Sequence, residues 1–335
     1  MHIDEVLPRD SIPSIDEPTF GTEYFGDNDD DVVVEDEPPR AYPIRILSYH
    51  EIVNDLLESD FQIRTTSDSA GQASQNRRAI AVTWCPICAS GVVYDRTVDG
   101  QVLTFGTSGK LADDALVMYD RETGSEWKQP LGRAISGPLE GTELTALPAS
   151  VMFWEVYRTE HPDGVVLQPV HGLSADPQGR SPRAVYDMSG YDRYDKSDDF
   201  GLRAMRGEGR ERTWTREDID AKTEVLGVVH ENESVGYPKP VIESEGGLIC
   251  DTVGGLDIVV VSSNHNFNAF EDPGYDFEVK GETLVADGAS WDRTTGRSSD
   301  GRELRRIPSR RLYAFAWQDD HGVDSFYGLS ASVED

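Results

Sequence analysis

Apolar residues along this chain fall in short runs rather than long stripes. Positions 79–84, 91–94, 103–105, 116–119, 256–261 and 312–317 are such runs, each bounded by glycine, proline or aspartate. Short β-branched and aromatic runs between turn formers predict strands. Asp99-Gly100, between 92–97 and 101–105, predicts a tight hairpin, because this dipeptide adopts positive φ at low cost. Helical periodicity is sparse, and only 46–57 and 216–222 suggest short helices. The pattern predicts a mainly β protein with few short helices.

The pattern also says the same thing twice. Ala41-Tyr42-Pro43 is echoed by Gly236-Tyr237-Pro238, and the strand-like run at 80–83 by Ile258-Val259-Val260-Val261. Asp120-Arg121-Glu122-Thr123-Gly124-Ser125 returns as Asp292-Arg293-Thr294-Thr295-Gly296-Arg297. Leu147-Pro148 with Phe153-Trp154 returns as Ile307-Pro308 with Ala316-Trp317. A repeat of this length predicts two duplicated β-rich units in a pseudo-twofold arrangement, not a solenoid. The expected division is an extended N-terminal arm (1–39), a first unit (40–171), a polar connector (172–222) and a degenerate second unit (223–329). Arm residues Ile12, Ile15 and Phe20 are apolar enough to dock on a neighbour.

Two of only three cysteines sit in Val82-Thr83-Trp84-Cys85-Pro86-Ile87-Cys88, directly after a predicted strand. At that spacing two thiols can chelate one soft metal ion or cycle as a dithiol/disulfide pair. The second unit provides an internal control. Overlaying the strands sets Ser263 opposite Cys85, Asn266 opposite Cys88, and Glu245-Gly246 near His50. Its counterpart keeps the skeleton without the soft ligands, so the thiols are not required for folding. Cys85, Cys88 and His50, with Met118 as a fourth ligand, form a candidate set for copper before zinc, because thiolate, imidazole and thioether suit soft ions. The metal-free rival is a thiol oxidoreductase. The bland rival is a non-enzymatic binding module with inert, buried thiols. Cys250 reads as core.

Tyr119, Asp120, Arg121, Ser125 and Trp127 could surround that site. The return of Asp-Arg-x-Thr-Gly in the second unit favours a turn held by side-chain to backbone bonds instead. Ser108 lacks the glycine spacing of a hydrolase elbow, and Gly137-Pro138-Leu139-Glu140-Gly141 lacks the lysine of a phosphate loop. No nucleotide-cofactor motif is present.

Charge narrows the setting. There are 62 acidic against 31 basic residues, a net charge of -31. Only six of the basic residues are lysines. Acid excess with scarce lysine suits a halophilic protein whose carboxylates hold water in high salt. The absence of a basic stripe argues against nucleic acid. The chain opens without a signal peptide or twin-arginine signal, and it has no apolar run long enough to span a membrane. A cytoplasmic location is expected, and three cysteines fit a reducing compartment. No protein partner is indicated.

With these residues in view, the chain resembles domain of unknown function family 3179 of bacteria and haloarchaea. The likeness rests on Asp10-Ser11-Ile12-Pro13-Ser14-Ile15-Asp16, Arg40-Ala41-Tyr42-Pro43, His50-Glu51-Ile52-Val53-Asn54-Asp55 and the cysteine box. It continues through Phe105-Gly106-Thr107-Ser108-Gly109, Met118-Tyr119-Asp120-Arg121, Thr123-Gly124-Ser125-Glu126-Trp127 and Ile135-Ser136-Gly137-Pro138-Leu139. The resemblance implies that the His50 box and the Cys85/Cys88 box belong together, and it implies no known reaction. Two departures stand out: the polar segment 60–78 between the boxes, and a second half that has lost much of the motif.

Overall fold

The cysteines hang from a sheet that is buried on both sides. In the strand Arg77–Cys85, alternate residues leave in opposite directions. Ala81 and Cys85 enter a core with Trp127 and Phe315, while Ile80, Val82 and Trp84 enter another with Tyr42 and Leu47. A strand with two buried faces reads as a continuous apolar run, as this one does. Its neighbours are Ile52–Glu58 and Ser90–Asp95, both antiparallel, with Ile52 opposite Thr83 and Cys85 opposite Ser90.

This computed structural model describes residues 1–36, 38–58, 77–170, 181–187, 190–263, 266–281 and 283–330. Most of the polar segment 60–78 lies outside them. The described chain is mainly β with seven short helices. The cysteine sheet does not stop at the first unit. Ser90–Asp95 meets Ser309–Tyr313 at Gly91 and Arg311, and the sheet continues through Glu224–His230 to Glu233–Pro238, making six strands. Strands from both halves of the sequence thus share one sheet. Leu248–Val253, Leu256–Ser263 and Asn266–Glu271 form a separate three-stranded sheet in the second half.

The arm is not simply extended. Ile3–Glu5 adds an edge strand to Phe105–Ala112, Ile15 is buried and bridges to Val53, and Phe20 packs on the core of Tyr42. Val6 and Leu7 donate to the carbonyl of Gly109, whose φ of 76° places it in the left-handed region. A Cβ there would stand 2.0 Å from the Leu7 carbonyl oxygen, so only glycine seats the arm.

Four local expectations change. The span 46–57 is a helix only over Ile44–His50; Glu51 breaks it at φ 61°, and the β-branched pair Ile52-Val53 opens a strand. The run 312–317 is half strand (Ser309–Tyr313) and half helix (Ala314–His321). Residues 216–222 form no helix, Arg216 being tied instead to Asp218. In the run 103–105 only Phe105 begins a strand, Phe105–Ala112. The Asp99-Gly100 hairpin forms as expected, joining Thr97–Val98 to Gln101–Val102 with φ of 49° and 80°.

The C-terminal helix Ala314–His321 locks the halves together. Its Trp317 lies on the facing pair Gly227 and Gly236, where a Cβ would approach the indole to 2.1 Å and 2.4 Å. Its Asp320 meets Lys128 of the first half at 2.5 Å, with both side chains almost wholly buried. Asp319 and Asp114 share Arg212. Among the described residues no helix is long and apolar enough to cross a membrane.

Candidate dithiol site

Cys85 is the last residue of its strand, Pro86 to Ala89 make the turn, and Ser90 starts the return strand. That loop is held from outside. The Tyr194 hydroxyl donates to the Ile87 carbonyl at 2.7 Å, and the Tyr313 amide donates to the Cys88 carbonyl at 2.8 Å. Cys85 is 1% exposed and Cys88 fully buried, and both are free thiols.

The two sulfurs are unequal. Burial opposes ionisation of Cys85, but the neighbouring Cys88 thiol and the amide-lined turn, with the Leu116 amide as its direct donor, carry its pKa below the usual thiol value, and the Cys88 thiol points to the Cys85 carbonyl oxygen at 4.0 Å. The Leu116 amide lies 3.3 Å from the Cys85 sulfur. Burial, the Cys85 sulfur and the Asp320 carboxylate all push Cys88 up. One thiol is therefore the readier thiolate, and the other keeps its proton.

The residue that the His50 box turns toward this pair is Glu51. Its carboxyl is buried, and burial followed by the charge of Cys85 raises its pKa to about 8. Glu51 stops its helix in the left-handed region, an unfavourable place for a side chain with a Cβ. The corresponding helix Lys239–Ser244 is followed by Glu245 and then Gly246, and Gly246 has φ 80°. Glutamate thus occupies a position that glycine fills elsewhere in this chain. Glu51 also lines a cavity of about 60 Å³, together with Ile87, Leu116, Tyr191, Leu202 and Met205.

His50 goes the other way. Its Nδ1 lies 2.7 Å from the Pro13 carbonyl oxygen, which can only accept, so Nδ1 carries the proton. Its Nε2 then accepts from the Tyr186 hydroxyl at 3.0 Å. Burial lowers the His50 pKa against the opposing Pro13 bond. No lone pair is left for a metal, and His50 serves to anchor the arm. Met118 is fully buried in the same apolar core as both cysteines. Among the described residues, no three His, Cys, Asp or Glu side chains converge as a metal-holding group. Among the described residues, then, His50 is engaged by Pro13 and Tyr186, while Cys85, Cys88 and Met118 share one buried core.

The five surrounding residues mostly face other tasks. Asp120 accepts from the Thr123 amide, the Thr123 hydroxyl and Trp127 Nε1. Ser125 bonds Thr123 and accepts from the Leu139 amide. Tyr119 donates to Asp10, and Arg121 binds Asp16 and Ser14, all on the arm. Trp127 alone packs in the core of the cysteines. Thr295 binds Asp292 through its amide and hydroxyl as Thr123 binds Asp120, so the repeated motif builds a turn.

Two overlays shift. The ladder beyond the second strand pair ends on Ser263 opposite Asn266, as the first ends on Cys85 opposite Ser90. Asn266 therefore stands where Ser90 does, not where Cys88 does. Cys250 is exposed, not core. Sequence reasoning missed Glu51, although it adjoins His50, as well as Tyr191 and Tyr194 in the connector, which carry no motif.

No curated protein and no solved structure matches the chain. A family match, described as protein of unknown function (DUF3179), covers residues 9–64 and 73–323. The gap falls within the polar segment between the two boxes. Matched over most of its length, the chain belongs to that family.

Proposed function

We propose that this protein is a metal-free thiol oxidoreductase in which Cys85 and Cys88 cycle between dithiol and disulfide. One observation supports the reading: both thiols are buried on one tight turn, the Cys85 sulfur accepting from the Leu116 amide, while His50 is spent on Pro13 and Tyr186. Cys85 is the attacking sulfur. It takes an electrophilic atom from a low-molecular-weight oxidant, Cys88 then displaces that group, and one S–S bond forms as two electrons and two protons leave the pair. Glu51 is the acid or base of this reading, since a carboxyl whose pKa is lifted to about 8 can hold and release a proton near neutrality. The soft-metal reading survives as a rival because Met118 shares the core of both thiols.

The test is an equilibrium titration of the full chain in glutathione buffers of graded ratio, with thiols trapped by alkylation and counted by mass. A single reversible midpoint for the Cys85–Cys88 pair, absent in Cys88→Ser, supports the reading. Stoichiometric copper or zinc in the purified protein, lost in Cys85→Ser/Cys88→Ser, would replace it with the metal site.

We further infer that the two halves are copies of one unit related by a pseudo-twofold, in a halophilic cytoplasmic protein. The supporting order is strand pair, helix and three strands: Asp31–Asp36 to Ser90–Asp95 in the first half, and Glu224–His230 to Asn266–Glu271 in the second. Leu147 donates to Val93 as Ile307 donates to Ala269. Acid excess and the low, odd cysteine count support the setting.

A further inference from the structure

A dithiol that cycles must be reached, and here neither thiol is: Cys85 is 1% exposed and Cys88 is fully buried. Two covers meet over their turn. One is the start of the C-terminal helix, where the Tyr313 amide holds the Cys88 carbonyl. That cover continues the six-stranded sheet and seats Trp317 against Gly227 and Gly236, so close packing fixes it. The other is the stretch 190–214. Its Tyr194 and Leu202 share the apolar core of both cysteines, and the Tyr194 hydroxyl donates to the Ile87 carbonyl. Burial raises the pKa of the Tyr194 phenol, and the charges of Cys88 and Cys85 add to the rise.

This second cover has little of its own to hold it together. Its two helices, Asp192–Asp195 and Gly201–Arg206, are 4 and 6 residues long, too short to stand alone in water. It wraps a cleft of about 1110 Å³, and every residue lining that cleft except Tyr313 lies between 195 and 223. A segment folded round solvent instead of onto a core opens at low cost. Its ties to the first half converge on one carboxylate. Asp114, 4% exposed, accepts from the Leu202 amide at 3.0 Å and from Arg212 Nη1 at 2.9 Å, and Arg212 Nη2 reaches Asp319 at 2.7 Å. Asp114 stands at φ 65°, in the left-handed region, and a Cβ on Gly201 would lie 2.5 Å from its Oδ2. Lys222 holds the other end through the Tyr194 and Ser197 carbonyls. Beyond it the chain is fixed again, since the Ala221 and Thr223 carbonyls accept from Phe315 and Ala314.

Resting on the dithiol reading above, we propose that residues 190–214 form a strap that lifts off the cysteine turn as a unit while the sheets stay folded, and that Asp114 and Arg212 are the catch that holds it down. A thiol or disulfide in solution meets Cys85 only while the strap is up. The catch thereby sets how often the pair can exchange electrons, without touching either sulfur.

Labelling of Cys85 and Cys88 by iodoacetamide in the reduced full chain carrying Cys250→Ser tests this, with the rate followed through rising urea below the unfolding transition. Lifting a strap exposes little surface, so the rate is expected to change little with urea, whereas global unfolding would make it climb steeply. Arg212→Gln and Asp114→Asn, the latter keeping a residue that tolerates positive φ, are each expected to raise that rate about tenfold or more. Amide hydrogen exchange in the same variants should lose protection across 194–214 and keep it across 90–95. A rate as urea-dependent as unfolding itself, a rate that neither variant raises, or protection lost equally in both segments would overturn the proposal. The glutathione titration is independent of these readouts. A reversible midpoint with thiols labelled only on global unfolding sinks the strap alone, whereas a strap that opens on a pair without any midpoint sinks the dithiol reading.

Discussion

Glu51 concentrates the argument at the scale of single residues. In the unfolded chain its carboxyl ionises near 4.5, and in the folded protein near 8. The folded state therefore binds the extra proton across that window, and stability declines as pH rises through it, by a total on the order of 5 kcal/mol. Glu51→Gln removes this dependence. Its melting temperature should exceed the parent's above pH 8 and fall level with or below it near pH 5, as differential scanning calorimetry would show; parallel curves would mean that the carboxyl is not held neutral. The thiols give a second prediction. With iodoacetamide on the folded protein, Cys85 should react faster than Cys88, because the Leu116 amide and the neighbouring Cys88 stabilise its thiolate. The cysteine pair was legible because two thiols at that spacing are rare in this chain. Glu51 was not, since one carboxylate among 62 acidic residues has no chemical signature until burial and backbone angle single it out.

Among the elements, the C-terminal helix has the largest consequences for so short a segment. Asp320→Ala removes the nearest carboxylate of the buried Lys128 ammonium, leaving Asp113 at 3.5 Å, and should cost about 3 kcal/mol in urea unfolding. Gly236→Ala drives a methyl into the Trp317 indole and should cost about 1–3 kcal/mol by the same measurement. His321 stacks on Trp317 with ring centroids 3.8 Å apart, and burial, Arg310 and Lys128 hold its pKa at about 4, below the ordinary 6.5. The unfolded chain takes up this proton first as pH falls. Stability should thus be intact above pH 6.5 and decline toward pH 4 by on the order of 3 kcal/mol, a loss that His321→Gln should flatten. This helix was misread because 312–317 is apolar throughout, and a short apolar run has neither the period of a strand nor that of a helix. The break at Glu51 was hidden for a related reason: apolar residues before and after it continue a helical pattern that the backbone abandons.

At the scale of the whole molecule, the mainly β character was legible from turn formers spaced between apolar runs. The joint sheet was not. Pairing of Ser90–Asp95 with Ser309–Tyr313 links segments more than half the chain apart, and no local pattern specifies it. That sheet explains how the second half, without soft ligands, still shapes the site: Tyr313 holds the Cys88 carbonyl, and Asp320 raises the Cys88 pKa. The net charge of -31 places this architecture under self-repulsion in dilute buffer. Salt shortens the Debye length from about 10 Å at 0.1 M to about 3 Å at 1 M. The melting temperature should therefore climb between those concentrations, and a flat response would show that the acidic surface is not under strain.

The measurement closest to the central claim is the intact native mass of the full chain after mild oxidation and exhaustive alkylation. The account predicts a metal-free chain, lighter by a pair of hydrogens at Cys85 and Cys88 and alkylated at Cys250 alone. Alkylation of all three cysteines, or a bound metal ion that protects Cys85 and Cys88, would contradict it.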